Sequence, residues 1–128
     1  MLLSEYQAGL AEVIDRFART DLIIASELSS DARTPKIGMI KGVIEFIDGS
    51  RLVFTEYIDA RYRLEKLSYS YHCQDNAGEL IFRYDNAAHK PPLPFPHHKH
   101  LPADGKTVES EIPELAEVID EAMERFVP

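Results

Sequence analysis

Four of the five histidines in this 128-residue chain, His89, His97, His98 and His100, fall within twelve residues. They close the stretch Leu80–His100, LIFRYDNAAHKPPLPFPHHKH, which also carries Arg83, Tyr84 and Lys99. Imidazole is the side chain whose ordinary pKa suits both removal and delivery of a proton near neutral pH. Cleavage of an RNA phosphodiester needs a base for the ribose 2′-hydroxyl, an acid for the leaving oxygen and a cation for the phosphorane. Histidines can fill the first two roles. Arg83 and Lys99 can fill the third, Arg83 with a fork that grips two phosphate oxygens. The same set would also serve as a plain anion-binding pocket.

A metal site is the second chemistry open to these residues. In an extended backbone His98 and His100 project to one side, and His89 or Asp85 can complete a set suited to zinc, nickel or copper. No HExxH motif, cysteine pair or spaced carboxylate accompanies them, so the reading without metal or cofactor is preferred. The bland alternative is that each histidine caps a loop. That is the commoner fate of a single histidine, and a weaker account of four beside Arg83, Tyr84 and Lys99.

Composition narrows the setting. Hydrophobic residues make up 45% of the chain and charged residues 28%, as in an ordinary globular protein of one domain. There is no run long enough to span a membrane and no signal-like start. With Cys73 as the only cysteine, an internal disulfide and a multi-cysteine zinc site are excluded. A cytoplasmic protein fits. The net charge of −8 is uneven: residues 1–60 carry −4, residues 61–106 carry +2 and residues 107–128 carry −6. The histidine-rich region is thus the electropositive part of an acidic chain. A small polyanion contact fits there, and a broad phosphate-tracking stripe does not.

The elements that must position these side chains read as follows. Ser4–Gln7 has the form of a capping box, and Tyr6, Leu10, Val13, Ile14 and Phe17 recur at helical spacing behind it. Residues 22–28 are β-like, and 29–35 read as a polar loop. Residues 37–47 and 50–58 form a hairpin around Asp48-Gly49, taken as a two-residue type I′ turn, which sets Lys41 opposite Glu56. A second hairpin joins 67–74 to 79–85, with the turn centred on Asn76-Ala77. It sets His72 opposite Ile81 and Ser70 opposite Arg83, and its polar face carries Ser68, Ser70, His72, Arg83 and Asp85. Pro91, Pro92, Pro94 and Pro96 end the ladder and read as a stiff polyproline arm. Pro113 suits a first helical position, and Leu115, Val118, Ile119, Ala122 and Phe126 mark a final amphipathic helix. The expected fold is α+β over residues 1–128. It has an N-terminal helix, a four- to five-stranded mostly antiparallel sheet, a His/Pro-rich loop and a C-terminal helix.

Three runs carry a family resemblance: Tyr69-Ser70-Tyr71-His72-Cys73-Gln74-Asp75, Leu80–Asn86 as LIFRYDN, and Phe95–His100 as FPHHKH. Together with Leu52-x-Phe54-x-Glu56 and the acidic C-terminal helix, they resemble the TumE family of small prokaryotic toxins. The resemblance implies a growth-inhibiting toxin, encoded beside a helix-turn-helix antitoxin and neutralised by contact with it. RNA cleavage is the commonest toxin activity in such modules and agrees with the residue chemistry. The expected roles are therefore His98 and His100 as base and acid of a metal-independent endoribonuclease, with Arg83 and Lys99 on the phosphate. His97 and His89 belong to the same cluster, and His72, Glu56 and Tyr84 stand behind them. The alternatives are a protein-binding toxin without catalysis and a small metal-binding regulatory domain.

Overall fold

The computed structural model describes residues 1–102 and 105–126. Helix α1 (Leu3–Ala18) buries Leu3, Leu10 and Ile14 along one face. It starts two residues earlier than the predicted cap at Ser4. The Glu5 side chain reaches back instead and accepts the Leu2 N–H at 2.8 Å. Helix α2 (Leu115–Met123) buries Leu115, Val118, Ile119, Ala122 and Met123, with Glu117 accepting the Glu114 N–H. Pro113 lies just ahead of this helix rather than at its first position, and a 3₁₀ turn (Glu124–Phe126) follows.

Between the helices runs one antiparallel sheet of seven strands: β1 (Ile23–Thr34), β2 (Ile37–Phe46), β3 (Arg51–Asp59), β4 (Glu65–Gln74), β5 (Leu80–Asp85), β6 (His98–His100) and β7 (Thr107–Glu109). Each strand pairs with the next, in sequence order. Seven strands replace the expected four or five. The additions are β6 and β7, three residues each and too short for alternation to show. The first strand is also longer than expected: the supposed polar loop at 29–35 is mostly strand, because Ser29–Thr34 completes the backbone ladder with β2. At an almost wholly exposed edge its side chains need no apolar alternation.

The first hairpin turns differently from expectation. Phe46 N–H donates to Ser50 O and Gly49 N–H to Phe46 O, each at 2.9 Å, closing a three-residue loop. Gly49 takes a φ of +85°, whereas a type I′ turn would also need positive φ at Asp48, which lacks it. The pairing therefore slips by one: Ile40 faces Glu56, and Lys41 faces Thr55. In the second hairpin the slip is two, so His72 faces Arg83 and Ser70 faces Asp85 and these four side chains keep their predicted face.

Both helices pack on one face of the sheet. Ile40, Ile44, Leu52, Phe54, Tyr71 and Phe82 meet the helices' buried residues in one core. Gly42 belongs to this face, and the Phe54 ring lies where a side chain would stand: an added Cβ would fall 2.2 Å from it. Among the described residues no helix lies over the opposite face. Alternation sets His72, Arg83 and Asp85 on that open face, together with the β6 residues paired to Arg83 and Asp85.

Candidate active site and histidine cluster

Period two along β5 separates Arg83 and Asp85 from Tyr84 and Phe82. Strand β6 pairs His100 with Arg83, Lys99 with Tyr84 and His98 with Asp85. His98 and His100 therefore share the open face with Arg83 and Asp85, and Lys99 points to the helix side. Prolines in Lys90–Pro96 deny that segment a ladder. It does not run straight, bending at Lys90-Pro91 and again over 94–97. The loop brings His89 and Phe95 against His98, with ring centroids at 4.4 and 5.6 Å.

Asp85 is the hub of the result. Its Oδ2 accepts from Arg83 Nε at 2.8 Å and lies 3.2 Å from His100 Nε2. Its Oδ1 lies 3.3 Å from His98 Nδ1 and accepts from the Ala87 N–H. Burial opposes ionisation of this carboxyl. The bonds from Arg83 and His98 and the nearby His100 outweigh it and hold the pKa below the usual carboxylate value. The side chains of Asp85 and His98 are 5% and 4% exposed, against 24% for His100 and 37% for Arg83. His98 Nε2 donates to the Phe95 carbonyl at 2.8 Å, and His100 Nδ1 lies 3.3 Å from Thr107 Oγ1. One ligand atom each from Asp85, His89, His98 and His100 lies within 4.8 Å of the others, so among the described residues these four could hold a metal.

On the other side of Arg83 stands His72, whose Nδ1 accepts from Arg83 Nη1 at 3.3 Å. Burial, then the guanidinium charge, lowers the His72 pKa below its ordinary 6.5 and keeps the ring neutral at physiological pH. His72, Arg83 and His100 thus form a row across three neighbouring strands.

The remaining expected site residues do not join this row. Lys99 Nζ pairs with Glu121 Oε2 at 2.9 Å, and Tyr84 donates to Glu121 Oε1 at 2.5 Å, both on the helix side. Burial opposes the Lys99 charge, but its bonds to Tyr84 and Glu121 prevail and raise its pKa. His97 Nδ1 meets the hydroxyl of core residue Tyr69 at 2.9 Å, with the two rings stacked. Glu56 is fully buried among the helix-side residues. It accepts from the Tyr6 and Tyr71 hydroxyls, and Lys66 Nζ lies 3.5 Å away. Its ionic partner is Lys66 rather than the predicted Lys41. Cys73 is buried in the core, which pushes its thiol up to about 11.

A family model described as Toxin TumE matches residues 10–127. The chain belongs to the TumE toxin family. Membership carries a toxin's role and, in general terms, an antitoxin partner. Nothing among the curated proteins or the solved structures matches it. Among the described residues of this TumE-family chain, no helix is long and apolar enough to cross a membrane.

Asp85 is the residue that the expected catalytic set lacked. Its signal was available: it stands two residues from Arg83 on the polar side of a strand. Thr107 and the Phe95 carbonyl left no comparable trace, because their importance depends on how β7 and the proline loop fold back. A separate cleft of about 480 Å³ on the helix side is lined by Tyr84, Lys99, Glu111, Glu117, Glu121 and Glu124. Its carboxylates make it a poor place for a polyanion.

Proposed function

We propose that the chain is a growth-inhibiting toxin that cleaves RNA at the His72–Arg83 edge of its open sheet face, and that a helix-turn-helix antitoxin neutralises it. The observation that carries this reading is the row His72–Arg83–His100. It places a neutral imidazole and a guanidinium side by side on a face no helix covers.

We assign the roles to Arg83 and His72 rather than to His98 and His100. His98 is buried with both nitrogens turned to protein atoms, and His100 has a buried Nε2 and an Nδ1 beside Thr107 Oγ1. Arg83 and His72 are more open to a substrate. A bound phosphate would draw Arg83 Nη1 away from His72 Nδ1, freeing that lone pair to take the 2′-hydroxyl proton. Asp85 keeps hold of Arg83 Nε meanwhile, so the fork stays aimed. The attacking oxygen then closes on phosphorus, the P–O5′ bond breaks and the 5′-oxygen takes a proton from water, His72 returns its proton to solvent, and the product carries a 2′,3′-cyclic phosphate. No step needs a metal.

Purified untagged protein incubated with RNA tests this. The expected result is cleavage with cyclic phosphate ends, abolished by 2′-deoxy substitution at the cut site. Arg83→Lys should retain charge yet slow cleavage by about 100-fold, the scale of losing one transition-state donor. His72→Ala should do the same. Linear phosphate products, or full activity in both variants, would sink the mechanism. An inert protein that captures one cellular partner would support toxicity by sequestration instead.

A further inference from the structure

We propose that Asp85, His89, His98 and His100 form a closed binding site for one transition-metal ion of the zinc class, distinct from the His72–Arg83 edge. Two features of the cluster call for a cation. His98 Nε2 donates its hydrogen to the Phe95 carbonyl, and the other ring nitrogen, Nδ1, lies 3.3 Å from Asp85 Oδ1. His100 Nε2 is buried and has no hydrogen-bond partner, and it lies 3.2 Å from Asp85 Oδ2. Imidazole nitrogens and carboxylate oxygens brought this close in a buried setting suit one shared cation.

The rings of His89, His98 and His100 crowd together, with centroids 4.4, 5.6 and 6.3 Å apart, and one ligand atom from each lies within 4.8 Å of the others and of Asp85. The spacing also fits. Metal–nitrogen bonds of about 2.0–2.1 Å imply tetrahedral edges of about 3.3 Å; His98 Nδ1 and His100 Nε2 lie 3.3 and 3.2 Å from the two Asp85 oxygens, one each, and the four ligand atoms need only draw in from within 4.8 Å of one another.

Three imidazoles, one carboxylate and no thiolate suit zinc, cobalt, nickel or copper rather than magnesium or calcium. The outer contacts are those of a ligand set. The Phe95 carbonyl fixes the His98 tautomer, Thr107 holds His100, and Arg83 and the Ala87 N–H orient Asp85. Four protein ligands fill a tetrahedron, so a bound ion keeps no position for water. Its work is to pin the loop carrying His89 to the sheet.

The test uses untagged full-length protein, stripped with a chelator, exchanged into clean buffer and titrated with zinc or cobalt(II) alone. One equivalent should bind. The cobalt form should show the strong visible bands of four-coordination, no near-ultraviolet thiolate band, and no change on adding azide. His89→Ala, a loop substitution outside the core, should weaken binding by more than the roughly 10–100-fold that loss of an outer contact costs. His100→Ala should do likewise, and His72→Ala should leave binding intact. No stoichiometric binding, or affinity unaltered in His89→Ala, overturns the site. A weak six-coordinate cobalt spectrum overturns its closure. Binding is read without RNA, so it stands or falls independently of the proposed cleavage.

Discussion

Arg83 is held from two sides, by Asp85 through Nε and by His72 through Nη1. This fixes the sign of a pH effect. Burial and the guanidinium both lower the His72 pKa, so its base form persists below 6.5. The acid limb of the cleavage–pH profile should lie below that value, and rates should fall only as pH drops through the lowered pKa. Arg83→Gln removes one of the two causes and should move the remaining activity's limb upward. A limb unmoved by that substitution would dissociate His72 from the reaction. Glu56 makes a different residue-scale prediction. Its carboxylate and Lys66 are buried together, and removing one partner strands the other charge. Glu56→Ala should cost about 3–5 kcal/mol in urea unfolding, while Lys41→Ala, on an exposed side chain, should be near neutral. The sequence set a lysine, Lys41, opposite Glu56. It could not show which one, because a single residue in a turn decides whether Lys41 meets it.

At the scale of elements, the turns decide what was legible. The helices, β2 to β5 and the polar face of the second hairpin follow from periodicity, since side-chain faces survive a register slip of two. The expected register of the first hairpin, off by one, did not survive. The slip arose because Asp-Gly serves a three-residue loop as well as a two-residue one. Strands β6 and β7 were hidden by brevity, and the first strand's outer half by its polar edge position. Gly42 shows how packing enters where pattern is silent. Gly42→Val would drive the Phe54 ring from its place and should destabilise the protein by about 1–3 kcal/mol, the usual cost of overpacking. An unchanged denaturation midpoint would show that the ring is free to move.

The whole molecule separates its charges. Acidic residues of the C-terminal region line the helix side, and Arg83 with its histidines occupies the open side of the sheet. An RNA strand approaching the open face meets few cations, so affinity should depend on salt only weakly. A slope of log K against log[salt] near −0.7 to −1.4 corresponds to about one or two phosphates at roughly −0.7 each for a single strand. A slope steeper than about −4 would demand a phosphate-tracking surface that the sheet does not offer.

The meander has a consequence for motion. Strands β6 and β7 hang on the far end of the sheet, each three residues long, and the buried core rests on β2 to β5 and the helices. Such an end can peel away without global unfolding. Amide hydrogens of β6 should therefore exchange with deuterium far sooner than those of β3. An ion shared by His89, His98, His100 and Asp85 would fasten this flap, so adding zinc should slow exchange at β6 and leave β3 untouched.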